Sequence, residues 1–160
     1  MIIVTLKENF DPRYPDFPVR RLVVDLLFEP RQSDTPPAYT YYEGAFIDTA
    51  APYVVIPYNL HSSGHLKIHQ DLGRKPYRSL AETGALLLQP FAMVGLRFLV
   101  KTPTGQFAYE PEQFLTVKAY LLDAQIHPLK RVLLGLDLIL ENFLLQVNKD
   151  HSFLQLLAES

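Results

Sequence analysis

Short apolar runs that alternate with polar residues, the mark of half-buried strands, set the pattern of this chain. Residues 21–28 (RLVVDLLF) place Leu22, Val24, Leu26 and Phe28 on one face and stop at Glu29-Pro30. That spacing predicts a strand. Residues 30–38, with Ser33, Asp34, Pro36 and Pro37, form a loop, and residues 39–47 resume an extended, aromatic-rich pattern that runs into Asp48. Residues 54–57 are a short apolar strand. Residues 86–88 and 92–100 are extended, with Val94, Leu96, Phe98 and Val100 together, and Thr102-Pro103-Thr104-Gly105 is a turn. Residues 114–122 alternate again, grouping Leu115, Val117, Ala119 and Leu121. Residues 136–143 suit a short helix, and residues 144–147 and 152–157 a closing hairpin around Asn148-Lys149-Asp150.

Thirteen prolines against seven glycines, mostly in the first two thirds, reinforce this picture, because an interior proline removes a helical hydrogen bond and clashes with the preceding turn. The expectation is an all-β fold with one short C-terminal helix. A length of 160 residues suits one domain spanning 1–160. Residues 58–79 turn polar and carry three histidines, so the stretch from about 58 to 84 is expected to be an insertion.

Composition narrows the possible functions. With 48% hydrophobic and 20% charged residues, the chain can build a core. Its net charge of −2 provides no field for a polyanion, which argues against nucleic acid as a partner. The absence of cysteine excludes disulfides, cysteine-ligated zinc and cysteine nucleophiles, and fits a reducing compartment, so a cytoplasmic location is expected. Lys7 and Glu8 interrupt the stretch where a secretory signal would be apolar. The longest apolar window, residues 84–96, is broken by Gln89 and Pro90 and falls short of the ~20 residues that cross a bilayer. No membrane partner is expected.

Candidate chemistry centres on residues 44–57. An apolar strand delivers Asp48 and Thr49 into a tight loop of small residues, Ala50, Ala51 and Pro52, and a second apolar strand leaves it. By itself, this is equally the pattern of an aspartate capping a backbone amide in a turn. Far downstream, Val132-Leu133-Leu134 leads into Gly135 and the helix beginning Leu136-Asp137.

Together the two segments resemble the retropepsin-like family of single-lobe aspartic proteases. The matching elements are Asp48-Thr49-Ala50-Ala51 with Val54-Val55-Ile56-Pro57, and Leu133-Leu134-Gly135-Leu136-Asp137. The resemblance spans residues 20–157, although only about 20 positions carry it. It implies a retropepsin-like acid protease barrel in which Leu134 and Gly135 pass behind the active-site loop, glycine permitting the close backbone approach. It further implies a homodimer acting on a peptide or protein substrate without a cofactor, since each lobe supplies one catalytic aspartate and the reaction needs two. Two carboxylates that close cannot both ionise, so the pair would share a proton and favour acid. Thr49 would lock the two loops across the axis.

Three departures bear on this expectation. Ala50 stands where the family has glycine and substrate backbone passes. Pro52 replaces a small or acidic residue. The separation of Asp48 from Gly135 exceeds that of compact retroviral proteases, the excess falling in residues 58–84. The nearest candidate for a flap tip is Glu82-Thr83-Gly84. The alternative function is therefore a catalytically weak or inactive dimeric, peptide-binding module of the same fold.

Other constellations carry less. His61, His65 and His69 recur every four residues and would align on a helix as zinc ligands, but Ser62-Ser63-Gly64 interrupts it; solvated histidines and no metal are the expectation. Arg74-Lys75-Pro76-Tyr77-Arg78 is a basic cluster expected in a solvated loop. Tyr39, Tyr41 and Tyr42 are expected to pack. Asp137 suits a helix start.

Overall fold

The structure is a computed structural model that describes residues 1–9, 12, 16, 19–32, 40–78, 86–124, 131–148 and 150–157. Among these residues the chain is all-β, with ten strands and two short helices. In chain order the elements are β1 (Ile2–Asn9), β2 (Val19–Phe28), β3 (Thr40–Ile47), β4 (Val54–Ile56), α1 (Tyr58–His61), β5 (Ile68–Arg78), β6 (Leu86–Lys101), β7 (Phe107–Leu121), β8 (Leu133–Leu134), α2 (Leu136–Asn142), β9 (Phe143–Gln146) and β10 (Ser152–Leu156). The strand order is β5-β6-β7-β4-β8-β3-β2-β1-β10-β9, and an added β2–β6 pairing brings the sheet back on itself.

The alternating faces read from sequence become the main core. Val24, Leu26 and Phe28 of β2 meet Val94, Leu96 and Phe98 of β6 and Val117 and Ala119 of β7, with Leu22, Val100, Leu115 and Leu121 packed at the margin. Side chains two apart on a strand share a face, so three such strands bury a continuous apolar surface. The register of β2 and β3 shifts by one residue at a bulge between Val24 and Leu26. There Gly44 takes the left-handed backbone (φ +81) that side chains resist, and its amide donates to Asp25 Oδ1 at 2.9 Å.

Several elements differ from the sequence reading. The alternation of Ile2, Val4 and Leu6 makes β1 a strand, which pairs with both β10 and β2 and was not anticipated. Residues 86–101 form one strand straight through Gln89-Pro90, because Gln89 is buried and its Oε1 accepts from the Asp123 amide at 2.8 Å. Within the stretch expected as an insertion, α1 spans Tyr58–His61 and β5 spans Ile68–Arg78. α1 is a second helix beyond the single one expected. The basic cluster from Arg74 to Arg78 lies within β5 and pairs with β6 from Leu86 to Pro90, so it is strand rather than solvated loop. Nearly every side chain of β5 is exposed, which erases the periodicity that would announce a strand.

The C-terminal helix and hairpin lie where the sequence placed them. α2 spans Leu136–Asn142, with Asp137 in its first turn, and β9 and β10 form the closing antiparallel hairpin. Tyr42 packs on the main core whereas Tyr41 is exposed; Tyr39 lies outside the described residues. Among the described residues no helix is long and apolar enough to cross a membrane.

Candidate active site

The loop after β3 is held by a strand that arrives from the far end of the chain. β8 lies between β3 and β4, parallel to the first and antiparallel to the second. The Phe46 amide donates to Val132 O at 3.0 Å, and the Asp48 amide to Leu134 O at 2.9 Å. Beyond β8, α2 begins with amides that no earlier turn can satisfy, and the loop has carbonyls to offer. Leu136 N donates to Ala51 O at 2.7 Å, and Asp137 N to Pro52 O at 2.9 Å. Each segment thereby completes the other's hydrogen bonding.

Gly135 sits at this crossing. A Cβ there would fall within the backbone of Tyr53, so only glycine lets the two segments come together. Leu134 is fully buried behind the loop. The sequence-derived pair Leu134 and Gly135 thus lies directly behind Asp48, Thr49, Ala50 and Ala51.

Within the loop, Asp48 is half-buried, Thr49 and Ala50 are exposed, and Ala51 is half-buried. Asp48 Oδ1 accepts from the Ala50 amide at 3.0 Å, and Asp48 O accepts from Ala51 N at 3.1 Å. The side-chain turn that aspartate commonly makes is therefore present. Among the described residues no non-glycine has positive φ, so Ala50 does not need glycine's conformational freedom. What Ala50 adds is the volume of an exposed methyl.

An aromatic floor adjoins the loop. Tyr53 meets Phe91 edge-on at 5.0 Å between ring centroids, Phe91 meets Tyr120 at 5.0 Å, and Tyr120 meets Tyr77 at 5.3 Å. These rings cap a second small core of Val55, Leu122 and Leu133. Tyr77 belongs to β5, so the β5–β6 hairpin reaches over the floor, and the Tyr120 hydroxyl fastens it by donating to Pro76 O at 2.8 Å. Burial, with smaller contributions from Tyr120 and then Asp48, pushes the Tyr77 hydroxyl above its ordinary 10.0. Lys75, two residues earlier, lays its ammonium 4.6 Å from the Phe91 ring centre and 5.8 Å from that of Tyr53.

Sequence reasoning did not find this floor. A bulge between Asp71 and Arg74, with Gly73 at φ +80, shifts the register of β5, so Leu72 and Tyr77 reach the same cluster despite opposite parity. The proposed flap tip, Glu82-Thr83-Gly84, lies outside the described residues.

The three histidines separate. His61 ends α1 and its Nε2 lies 2.8 Å from Leu122 O, His65 lies in the following loop, and His69 is on β5 with Nε2 2.5 Å from Glu29 Oε2. His61 and His69 are thus engaged rather than merely solvated. Among the described residues no group of three possible ligands converges on a metal position. A cavity of about 750 Å³ opens elsewhere, bordered by Ile3, Val23, Leu99, Val100 and Phe107, and contains none of the loop residues. Lys7, Asp25, Glu43, Lys101 and Glu110 also border it, so the cavity is mixed in character and separate from the loop. No family model, curated protein or solved structure matches the chain.

Proposed function

We propose that the chain is one subunit of a homodimeric aspartic endopeptidase of the retropepsin-like class, with the sheet closing as that class's barrel. The observation that carries this reading is the pinned loop: Asp48 presented between β3 and β4, β8 bonded behind it, and Gly135 set against Tyr53. The β2–β6 pairing supports the barrel.

One chain offers one Asp48, so a second copy must supply the other. Support for an association face comes from Leu140, 66% exposed, with Leu144, Val147 and Leu157 also in solvent, beside an edge strand, β9. In the dimer, one carboxylate takes a proton from water as the water oxygen attacks the scissile carbonyl carbon. The other carboxyl gives its proton to the carbonyl oxygen. Protonation of the nitrogen then lets the C–N bond break, leaving an acid and an amine. Thr49, exposed at the loop tip, would bond across the axis.

A second reading, a peptide-binding dimer without efficient chemistry, is favoured by the exposed Ala50 methyl and by the engagement of Asp48 Oδ1 with the Ala50 amide. Activity separates the two. Between about pH 4 and 6, Asp48→Asn should abolish cleavage of a peptide library and leave the sedimenting dimer intact, while Ala50→Gly should raise cleavage if the methyl obstructs substrate. A wild type and an Ala50→Gly variant that both cleave nothing would sink the peptidase reading. A strictly monomeric protein would sink the shared pair.

A further inference from the structure

The cations along the β5 arm do not have equal surroundings. Arg74 Nη1 is 3.2 Å from Asp123 Oδ2, and Lys67 Nζ is 3.3 Å from Glu29 Oε1, a carboxylate that also receives His69. Lys75 has no carboxylate partner among the described residues. Its ammonium rests instead on the faces of Phe91 and Tyr53, aromatic rings that hold a cation in place while leaving its charge uncompensated. Beneath it, Tyr53 and Tyr77 are only half-buried, so the floor keeps ring surface open to solvent beside the Asp48 loop. Tyr53 belongs to the segment that follows Asp48 directly, and Tyr77 joins the same aromatic cluster. The unpaired ammonium therefore stands at the margin of the surface a peptide would cross on its way to Asp48.

We propose that the margin of the aromatic floor under Lys75 is a substrate side-chain subsite in which Lys75 is the counter-ion for an acidic residue of the bound peptide, with Tyr53 and Tyr77 receiving its apolar stem. The assignment rests on the endopeptidase reading and adds a specificity to it. A glutamate or aspartate placed there satisfies the ammonium, a neutral residue leaves it on the rings, and a lysine or arginine is repelled. Lys75 is a specificity residue and takes no part in the bond-breaking step.

The test uses the full chain near pH 5.5, where free acidic side chains are mostly ionised. Peptides identical except for Glu, Gln or Lys at each position in turn are assayed for kcat/KM with wild type, Lys75→Arg, Lys75→Met and Lys75→Glu. At one position wild type should favour Glu over Gln by about tenfold, the size of a charge-assisted hydrogen bond. Lys75→Arg should keep that preference, Lys75→Met should erase it, and Lys75→Glu should transfer it to Lys. In parallel, fluorescein-labelled members of the same set are titrated against Asp48→Asn and against Asp48→Asn with Lys75→Glu, by anisotropy. Cleavage whose preference is unmoved by Lys75→Glu overturns the subsite and leaves the peptidase standing. No cleavage, but binding that prefers Glu and reverses with Lys75→Glu, overturns the peptidase and leaves the subsite. Neither cleavage nor binding overturns both.

Discussion

The two hydrophobic clusters of the molecule are made of different material. The large one is mainly aliphatic and closed: Leu26, Val94, Leu96, Ala119, Leu134 and Leu154 are all fully buried. The small one places Val55, Leu122 and Leu133 beneath Phe91 and Tyr120, with Tyr53 and Tyr77 half-exposed at its edge. Aliphatic side chains have nothing to gain from water, so they close over one another. A tyrosine carries a hydroxyl that needs a partner, and it suits a surface that is apolar but still wet. The first cluster holds most of the buried apolar side chains, whereas the second includes Tyr53, close in sequence to Asp48.

β8 links the two, because Leu134 enters the large cluster and its neighbour Leu133 the small one. The largest expected effect therefore comes from the glycine that lets β8 pass. Gly135→Ala drives a methyl into the Tyr53 backbone and should cost more than about 4 kcal/mol, separating the loop from both clusters at once. Urea unfolding measures it, and a loss under about 1 kcal/mol would mean that the loop yields and the clusters are anchored independently.

A pair of substitutions sharpens the contrast. Leu96→Ala, at a fully buried position of the large cluster, should cost about 2–5 kcal/mol through lost burial and a cavity. Tyr120→Phe removes only the hydroxyl that donates to Pro76 O and should cost about 1 kcal/mol, loosening the β5 arm more than the core. Equal losses would erase the distinction between a closed core and a wet one. Hydrogen exchange on β5 should rise in Tyr120→Phe and stay near wild type in Leu96→Ala at low denaturant.

The smallest effect depends on pH. The folded chain holds the Tyr77 proton more tightly than an unfolded chain does, chiefly because the hydroxyl is buried. That contribution is complete below about pH 10 and drains away as pH rises through the higher folded value. Tyr77→Phe should therefore flatten the alkaline end of the stability curve and leave neutral stability little changed. An unaltered alkaline limb would place Tyr77 in water rather than on the floor.

Legibility in the sequence depended on an apolar pattern long enough to stand out, and β1, though it alternates cleanly between buried and exposed positions, was passed over. β2, β6 and β7 announced themselves by alternation, and α2 by its apolar run after Gly135. β5 did not, since all its side chains but Leu72 and Tyr77 are exposed and its pairing with β6 makes it extended. The loop of Asp48, Thr49, Ala50 and Ala51 was visible as small residues between two apolar strands, and Gly135 as a glycine between a strand and a helix.

The amino-acid sequence by itself determined the all-β character, the main core faces and the aspartate in a tight loop, because those depend on neighbours two or four positions away. Only the tertiary structure decided that Leu134 O meets the Asp48 amide, that Tyr77 meets Tyr120, and that Lys75 rests on Phe91 with no carboxylate partner among the described residues. Such contacts join residues far apart in the chain. They leave no local period, and their energies arise only once the sheet has brought them together.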